Sequence, residues 1–441
     1  MKLKQRILLY LCIVAVLAIV LVPQIFSLMG FPSHLKIIQG IEQSLKINFP
    51  FDVYIICDQP ERLLVNGKPL KTEALKVNLS EPLLFQSDAI GKLKVDFKLF
   101  GLIPIRHMEV DVVPEIKVFP GGHSIGVLLH TDGVMVIDVS YVDGADGRKY
   151  YPAREAGVGP GDYLLEMNGK KVLSKQDVAK AIYESGKKGR PLKVKVRKRT
   201  GSIKDLTIHP VKSKEGTYMI GLYIDDGVAG VGTLTFYDPK SGFYGALGHV
   251  ITDAHTQDPI QIRAGEIVNA NISGINTGQR GLPGEKLGTF IGSEDVLGVI
   301  KKNCEYGIYG KLDKLPENLY FKEPIPVATS RQIKRGRAWI YTVVNGSRIE
   351  KFAIEIEHVY HQRRPASRGL IIRIIDPKLL KITGGIVQGM SGSPIVQNGR
   401  LVGAVTHVFV NDPKKGYGVL AEWMIKEAGL DRINYKRKLN R

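Results

Sequence analysis

Two short motifs in this chain carry residue types that could perform covalent catalysis. Ser391 lies in the run 389–394, GMSGSP, and His249 lies in the earlier run YGALGHVITD. A serine hydroxyl attacks a carbonyl when a base takes its proton and N–H groups receive the developing oxyanion. The small residues around the serine leave room for a substrate carbonyl, and we expect Gly389 and Ser391 to supply the two N–H groups. The six residues alone fit an ordinary turn between buried strands equally well.

The order of the two motifs favours one kind of peptidase. A histidine followed much later by a serine in G-x-S-G-x-P is the order of the chymotrypsin-type double barrels. Such an enzyme also needs a carboxylate that orients the imidazole. The usual spacing after the histidine points to Asp295, in GSEDVLG. Ser393 offers a second hydroxyl, but it occupies the second small position of the motif.

A metal site is the competing chemical interpretation. His249, Asp253 and His255 place two imidazoles and a carboxylate within seven residues, and both groups are zinc ligands. No HExxH helix surrounds them, and a fourth ligand would have to come from elsewhere in the chain. We therefore expect no metal and no cofactor.

The segment that carries both motifs, 213–441, is rich in short apolar runs such as GTLTFYDP, EKFAIEIEHVY and RGLIIRIID. Many short strands at regular spacing, almost without long helices, predict a sandwich or a pair of barrels. Together with the His…Ser order, this predicts a chymotrypsin-like double β-barrel peptidase domain. The fold class is mainly β.

The preceding segment, 114–212, predicts a smaller mixed domain. Thr131-Asp132-Gly133 is a hairpin signal between two apolar strands. Further on, Ser174 and Asp177 form the N-terminal signature of a helix, and Gly186 is placed as the residue that ends it. The basic run that follows alternates with Leu192, Val194 and Val196, which predicts a half-buried strand rather than a nucleic-acid surface.

This segment resembles a PDZ domain. The pattern P-A-x-x-A-G-x-x-x-G-D-x-L-x-x-x-N-G matches from Pro152 to Gly169. The resemblance implies that an extended peptide adds as a strand beside the helix. The backbone N–H groups of Ile125, Gly126 and Val127 would then receive a carboxylate or an internal turn. A PDZ domain that only braces the peptidase is the alternative.

Taken together, the motifs resemble the stage IV sporulation protein B family, PDZ-containing serine peptidases of endospore-forming bacteria. The resemblance rests on the N-terminal apolar run, the PDZ core, GALGHVITD and GGIVQGMSGSPIVQNGRLVGAVTHV. It implies His249 as base, Ser391 as nucleophile and Asp376, at the end of IIRIID, as the acid in place of Asp295. It also implies self-cleavage and a forespore location. There, in the intermembrane space, the peptidase would cut a regulatory membrane protein and so activate an intramembrane metalloprotease that processes a sigma-factor precursor.

The N-terminus predicts a membrane anchor. Residues 7–29 contain no charged residue, and Lys2, Lys4 and Arg6 precede them. A run of this length spans a bilayer, and the preceding basic residues predict an N-in orientation with the rest of the chain translocated. A cleaved signal peptide is the alternative. Residues 1–30 are thus the expected anchor, and 31–113, with alternating apolar residues, a small β-rich domain.

Charge and cysteine content add limits on partners. The net charge of +19 suits an anionic lipid surface, and we expect no nucleic acid. The expected partners are a peptide or protein substrate, the chain itself and the membrane. Cys12, Cys57 and Cys304 cannot build a disulfide framework, although a bridge between the last two stays open. An HtrA-type protease and a non-catalytic PDZ scaffold are the alternative functions.

Overall fold

The computed structural model describes residues 31–47, 49–70, 74–252, 257–260, 262–290, 295–360, 362 and 364–431. The chain divides into two compact units, Met1–Ile116 with Asp431–Arg441, and Lys117–Leu430. No helix within the described ranges is long and apolar enough to cross a membrane. The anchor predicted at residues 7–29 lies outside those ranges.

The first unit is built from short strands. In chain order they are β1 (His34–Ile38), β2 (Gln43–Leu45), β3 (Val53–Cys57), β4 (Leu64–Val65), β5 (Lys68–Pro69), β6 (Leu75–Val77), β7 (Leu83–Gln86), β8 (Gly91–Leu99) and β9 (Ile103–Val113), with a 3₁₀ turn at Pro60–Arg62. One sheet has the order β1-β9-β8-β3-β6 and a second has the order β2-β7-β4-β5. The alternating apolar residues of these strands form the core of the unit, with Phe31, Phe85 and Phe97 buried at its centre.

The second unit opens with strands that reach from the peptidase into the PDZ region. They are β10 (Lys117–Pro120), β11 (Ser124–Val139), β12 (Val142–Asp143), β13 (Lys149–Tyr150), β14 (Tyr163–Met167), β15 (Lys170–Lys171), β16 (Leu192–Arg197), β17 (Ile203–Ile208), β18 (Val211–Lys212), β19 (Tyr218–Met219) and β20 (Leu222–Tyr237). Two helices lie among them, α1 (Pro152–Glu155) and α2 (Lys175–Lys187).

The rest of the second unit carries both catalytic motifs. Its strands are β21 (Phe243–Ala246), β22 (Ile262–Asn269), β23 (Asn271–Asn276), β24 (Glu285–Thr289), β25 (Val296–Cys304), β26 (Gly307–Leu312), β27 (Ile325–Pro326), β28 (Gly336–Val343), β29 (Ile349–Val359), β30 (Leu370–Ile374), β31 (Pro394–Gln397), β32 (Arg400–Phe409) and β33 (Asp412–Leu420). A 3₁₀ turn at Ser330–Gln332 and the helices α3 (Pro377–Thr383) and α4 (Ala421–Glu427) complete it.

Two rings of paired strands form the peptidase. The first runs from β11 through β22, β25, β26, β21 and β20, and β20 pairs back with β11. The second is a closed barrel of order β28-β29-β30-β33-β32-β31. Each ring surrounds its own buried aliphatic core, with Ile125, Leu234 and Ile308 in the first and Ile340, Ile372 and Val405 in the second. The prediction of a mainly β chain with a protease-like β-barrel domain is confirmed.

The PDZ region lies between two neighbouring strands of the first ring. The C-terminal half of β11 extends beyond the ring, and β20 leads the chain back into it. Residues 134–226 are therefore an insertion in the peptidase. β11 pairs with β20 from Ser124 opposite Thr233 to Val139 opposite Leu222, with irregularities between His130 and Met135 and between Val136 and Asp138. The hairpin predicted at Thr131-Asp132-Gly133 is therefore wrong, because these residues form a bulge within one long strand.

The predicted N-terminal cap of the helix in the PDZ region is present in the structure. Ser174 caps α2, accepting the Asp177 N–H at 3.1 Å, while the Asp177 carboxylate accepts the Ser174 N–H at 3.1 Å. The helix runs past Gly186, however, and the left-handed residue is Gly189, with φ 61°. Gly186 is needed for a different reason, since a Cβ there would lie 2.2 Å from the Tyr218 ring.

The cysteines of the described ranges form no disulfide. Cys57 is buried in the first unit, Cys304 lies in the second, and both are free thiols.

Candidate active site

The Ser391 turn is held in place by two threonines of β20. Thr233 Oγ1 donates to the Gly389 carbonyl and Thr235 Oγ1 donates to the Gly392 carbonyl, both at 2.8 Å. Both threonines are fully buried, so each bond is shielded from water. Because Thr-x-Thr on a strand places both side chains on one face, a single strand clamps the turn on both sides of the serine.

The turn requires glycine at two positions. Gly389 and Gly392 have φ of 87° and 92°, a left-handed conformation that side chains disfavour. A Cβ on Gly392 would also lie 2.1 Å from the Thr233 carbonyl oxygen. The small residues in the motif are thus needed for the backbone path as well as for substrate access.

Two backbone N–H groups at the turn are free to bind an anion. Those of Gly389 and Ser391 have no acceptor among the described residues, and both residues line a cavity of about 610 Å³. Neighbouring N–H groups in the turn are occupied, that of Met390 by the Val387 carbonyl and that of Gly392 by the Val405 carbonyl. Two free N–H groups beside the serine are the donors that an oxyanion hole requires.

His249 lines the same cavity as Ser391. Its Nδ1 lies 2.8 Å from the Val250 carbonyl oxygen. A carbonyl only accepts, so Nδ1 carries the proton and Nε2 is the basic nitrogen. Burial lowers the pKa of His249, and the Val250 bond offsets part of this effect. The imidazole is therefore neutral at neutral pH and able to act as a base.

The serine hydroxyl does not bond to the imidazole in this structure. Ser391 Oγ donates to the Thr406 carbonyl at 2.7 Å. The His407 ring lies beside His249 in the cavity wall, with centroids 5.1 Å apart. Burial, followed by electrostatic interactions with His249 and Arg368, lowers the pKa of His407 to about 4. His407 is thus a second neutral imidazole beside the base.

Neither carboxylate considered as the acid contacts the imidazole. Asp376 caps α3, accepting the Leu379 N–H and the Ala353 N–H, each at 3.1 Å. Asp295 is exposed, just before β25. The described lining of the cavity includes neither residue. The structure brings His249 and Ser391 together, and the assignment of Asp376 stays a prediction.

The residues predicted to bind a PDZ ligand lie elsewhere than expected. Ile125, Gly126 and Val127 are inner-strand residues of the first ring, paired with β20 on one edge and β22 on the other. Because both edges of this strand are occupied, no peptide strand can add beside it. The prediction that these three residues bind a PDZ ligand is therefore wrong. The hairpin error caused it, because a hairpin would have placed these residues inside the PDZ domain.

The alternative metal cluster falls partly outside the described ranges, since Asp253 and His255 are not among them. Within those ranges, no group of three His, Cys, Asp or Glu side chains is placed to hold a metal ion.

Sequence reasoning missed the buried Lys286 behind the turn. Its N–H donates to the Gln388 carbonyl at 2.9 Å, and its amine donates to Thr342 Oγ1 at 2.8 Å. Its stem lies against Gly389, where an added Cβ would be 3.1 Å from Lys286 Cδ. A lysine in an alternating strand reads as a solvent-facing residue, so only the tertiary structure reveals its burial.

Comparison with known families agrees with this geometry. Residues 216–425 match the family described as SpoIVB peptidase S55, and residues 124–209 match the PDZ domain family. Over these two segments the chain is SpoIVB-like. It is therefore a PDZ-containing serine endopeptidase.

Among solved structures, the chain is similar to two crystal structures of inactive forms of the protease Rv3671c, one of them a mutant of the protein from M. tuberculosis H37Rv. Both are 16% identical to this chain and cover 45% of it. The matches cover 82% and 84% of the mycobacterial chains, with TM-scores of 0.25 and 0.24.

Proposed function

We propose that this SpoIVB-like peptidase is a membrane-anchored endopeptidase that cleaves itself and a regulatory membrane protein, with His249 as base and Ser391 as nucleophile. The observation that carries the assignment is the single cavity that His249, Gly389 and Ser391 all line. A base, a nucleophile and an oxyanion hole are the parts that acyl transfer requires.

The reaction begins with a rotation of the serine side chain. Ser391 Oγ leaves the Thr406 carbonyl, gives its proton to His249 Nε2 and attacks the substrate carbonyl carbon. The carbonyl oxygen becomes an oxyanion that accepts the N–H groups of Gly389 and Ser391. His249 then passes the proton to the leaving amine, and water, activated by the same nitrogen, releases the acyl group.

Asp376 is proposed as the orienting acid on the family resemblance alone. In the resting geometry the Val250 carbonyl holds the imidazole tautomer, and the Asp376 carboxylate holds the start of α3. Catalysis through Asp376 therefore requires its carboxylate to exchange a bond to Leu379 or Ala353 for one to His249 Nδ1. The substitution Asp376→Asn keeps the cap of α3 and removes the negative charge. It therefore separates the role of Asp376 as a helix cap from its role as the orienting acid.

The substrate class follows from the cavity lining. Its described residues include Pro283, Ile386, Val387 and Val408, and no carboxylate is among them. We propose that the primary pocket accepts an apolar residue and has no strong preference for Arg or Lys. A cleavage profile over a peptide library, dominated by basic residues before the scissile bond, would contradict this.

The PDZ region is proposed to bind a peptide at the N-terminal part of β20. Leu222–Asp225 pairs with β11 on one edge, and no described strand pairs with the other. The Asp226 carboxylate accepts the Lys175 N–H at 2.9 Å, which places this edge beside α2. Since β20 continues to Thr233 and Thr235, a ligand there would act on the strand that clamps the nucleophile turn. Replacing Leu222 by aspartate should weaken peptide binding.

The cellular role is proposed from the family resemblance. The peptidase acts on the translocated side of the forespore inner membrane and triggers sigma-factor processing through an intramembrane metalloprotease. Self-cleavage would release it from its anchor.

The test of the catalytic assignment is a pair of serine variants. Ser391→Ala should abolish both the self-processed form and cleavage of a protein substrate, a loss of about 10³-fold or more. Ser393→Ala is the matched control, because its hydroxyl bonds the Met390 carbonyl within the same turn. Self-processing that persists in purified Ser391→Ala protein would refute the proposal.

A further inference from the structure

The hairpin between β8 and β9 ends in an apolar tip, Phe100–Pro104, that projects into solvent. Phe100, Leu102 and Ile103 are 67%, 83% and 57% exposed. Phe51 lies beside Phe100 across a small pocket and is also exposed. Consecutive exposed apolar side chains of this size mark an interaction site more often than a free surface.

The backbone conformation of the tip is one that apolar residues such as phenylalanine disfavour. Phe100 and Gly101 have φ of 53° and 75°, and the Leu102 N–H donates to the Leu99 carbonyl at 3.1 Å. This is the two-residue turn for which Asn-Gly is the common choice. A phenylalanine there is sterically disfavoured and loses the benefit of burial. The tip therefore carries an apolar side chain at a cost to the isolated unit.

The tip points toward the side from which the chain enters the unit. β1 runs parallel to β9, with His34 opposite Glu109, and the Glu109 N–H donates to the Ser33 carbonyl. The residues before β1 therefore extend toward Ile103, the start of β9. Phe31, the first described residue, confirms this direction by packing on the Phe97 ring with centroids 5.3 Å apart.

The predicted anchor directly precedes Phe31 in the sequence. Its apolar run stops at Met29, and two residues span at most about 7 Å to Phe31. Phe97 pairs with Arg106, and from that level the hairpin extends a further ~13 Å to Leu102. The tip therefore reaches several ångströms past the level at which an anchored chain would leave the hydrocarbon.

Charges near the tip suit an anionic lipid surface. Lys98 lies opposite Pro104, and Arg106 lies opposite Phe97. Asp52, which shares the small pocket with Phe100, is paired with Lys76 at 3.1 Å. Cations flanking an apolar tip favour the interface of a bilayer that contains acidic headgroups. A hairpin tip is convex, and a bilayer closes around such a shape without needing a matching groove.

We propose that the tip Phe100–Pro104 inserts into the interface of a bilayer containing anionic lipid and forms a second membrane contact beside the anchor. This proposal rests on the proposed function in one respect, because the membrane anchor is what sets the position of the bilayer. The two contacts together hold the first unit at a defined height and orientation on the membrane.

The test uses the full-length chain in vesicles of phosphatidylcholine and phosphatidylglycerol whose acyl chains carry bromine. Leu102→Trp places a reporter in the tip, and the exposed side chain makes the substitution tolerable. Tyr183→Trp, on the exposed face of α2, is the matched control. Each variant then has three tryptophans, since the natural chain has two. For each variant, the tryptophan emission in brominated vesicles is compared with the emission in unbrominated vesicles.

Insertion predicts that Leu102→Trp loses roughly one third more of its emission than the control, the share of one tryptophan in three, with a blue shift. The effect should weaken in vesicles without phosphatidylglycerol. Equal quenching of the two variants, or a chain that does not float with the vesicles, would overturn the proposal. Peptidase activity on the same vesicles is a separate readout, so failure of the tip contact is distinguishable from failure of the catalytic assignment.

Discussion

Replacing Lys286 by methionine is expected to stabilise the second unit, by an amount that falls as the pH rises. The lysine is 5% exposed, and among the described residues its amine bonds to Thr342 Oγ1 alone. Burial lowers the pKa of Lys286 from 10.5 to about 7. Methionine keeps the unbranched stem that packs on Gly389 and removes the group that burial penalises.

The magnitude follows from linkage between protonation and folding. At pH 6 the amine is protonated in both states, and burying its charge costs about 5 kcal/mol relative to a pKa of 10.5. Losing the Thr342 bond and leaving that hydroxyl unpaired offsets about 1–2 kcal/mol. The variant should therefore be about 3 kcal/mol more stable at pH 6. Between about pH 7 and 10.5 the unfolded state binds more protons, so the wild-type protein gains about 1.4 kcal/mol per pH unit and the difference nearly vanishes by pH 9.

Urea unfolding at pH 6, 7, 8 and 9 measures this difference. Trp339 and Trp423 are the reporters, and both belong to the second unit. Lys314→Met is the control, because this lysine is exposed and its replacement should have little effect at any of these pH values. A Lys286→Met variant that is less stable than wild type at pH 6, or whose advantage does not change with pH, would refute the reasoning.

Three further outcomes are expected at the site. Thr233→Val should lower kcat about 10–100-fold with little change in KM, because it frees the Gly389 carbonyl and disorders the oxyanion hole; an unchanged kcat would contradict the clamp. If Asp376 orients His249, Asp376→Asn should lose about 10⁴-fold in kcat with little loss of stability, whereas full activity in the asparagine variant would leave it only the role of helix cap. Burial lowers the pKa of His249, so kcat/KM should rise with pH through a midpoint below 6.5 and be constant above it; a midpoint above 6.5 would contradict the neutral resting imidazole.

The parts of the fold that depend on neighbouring residues could be predicted from the sequence. The capping box at Ser174 and the glycine turn at Ser391 are read within a few residues, and the structure has both. The placement of Ile125 depends on which strands pair with it, and its partners, Gly232 and Asn269, lie more than a hundred residues further along the chain. Nothing near Ile125 distinguishes a PDZ edge strand from an inner strand of a barrel, since both read as apolar runs.

The same limit applies to the groups that support the nucleophile. Thr233 and Thr235 read as ordinary strand residues, and only the fold brings them to the Gly389 and Gly392 carbonyls. Asp376 illustrates the converse, because a carboxylate before Pro377 reads locally as a helix N-cap, and the structure gives it that role. Its part in catalysis cannot be read from the position before a helix alone.

Labelling with a fluorophosphonate, followed by mass spectrometry of the modified peptide, tests the catalytic assignment most directly. The reagent phosphonylates a serine only where a base and an oxyanion hole activate it. We expect one adduct, on Ser391, that is lost in His249→Ala and retained in Ser393→Ala. An adduct on Ser393, or labelling of Ser391 that does not depend on His249, would contradict the assignment.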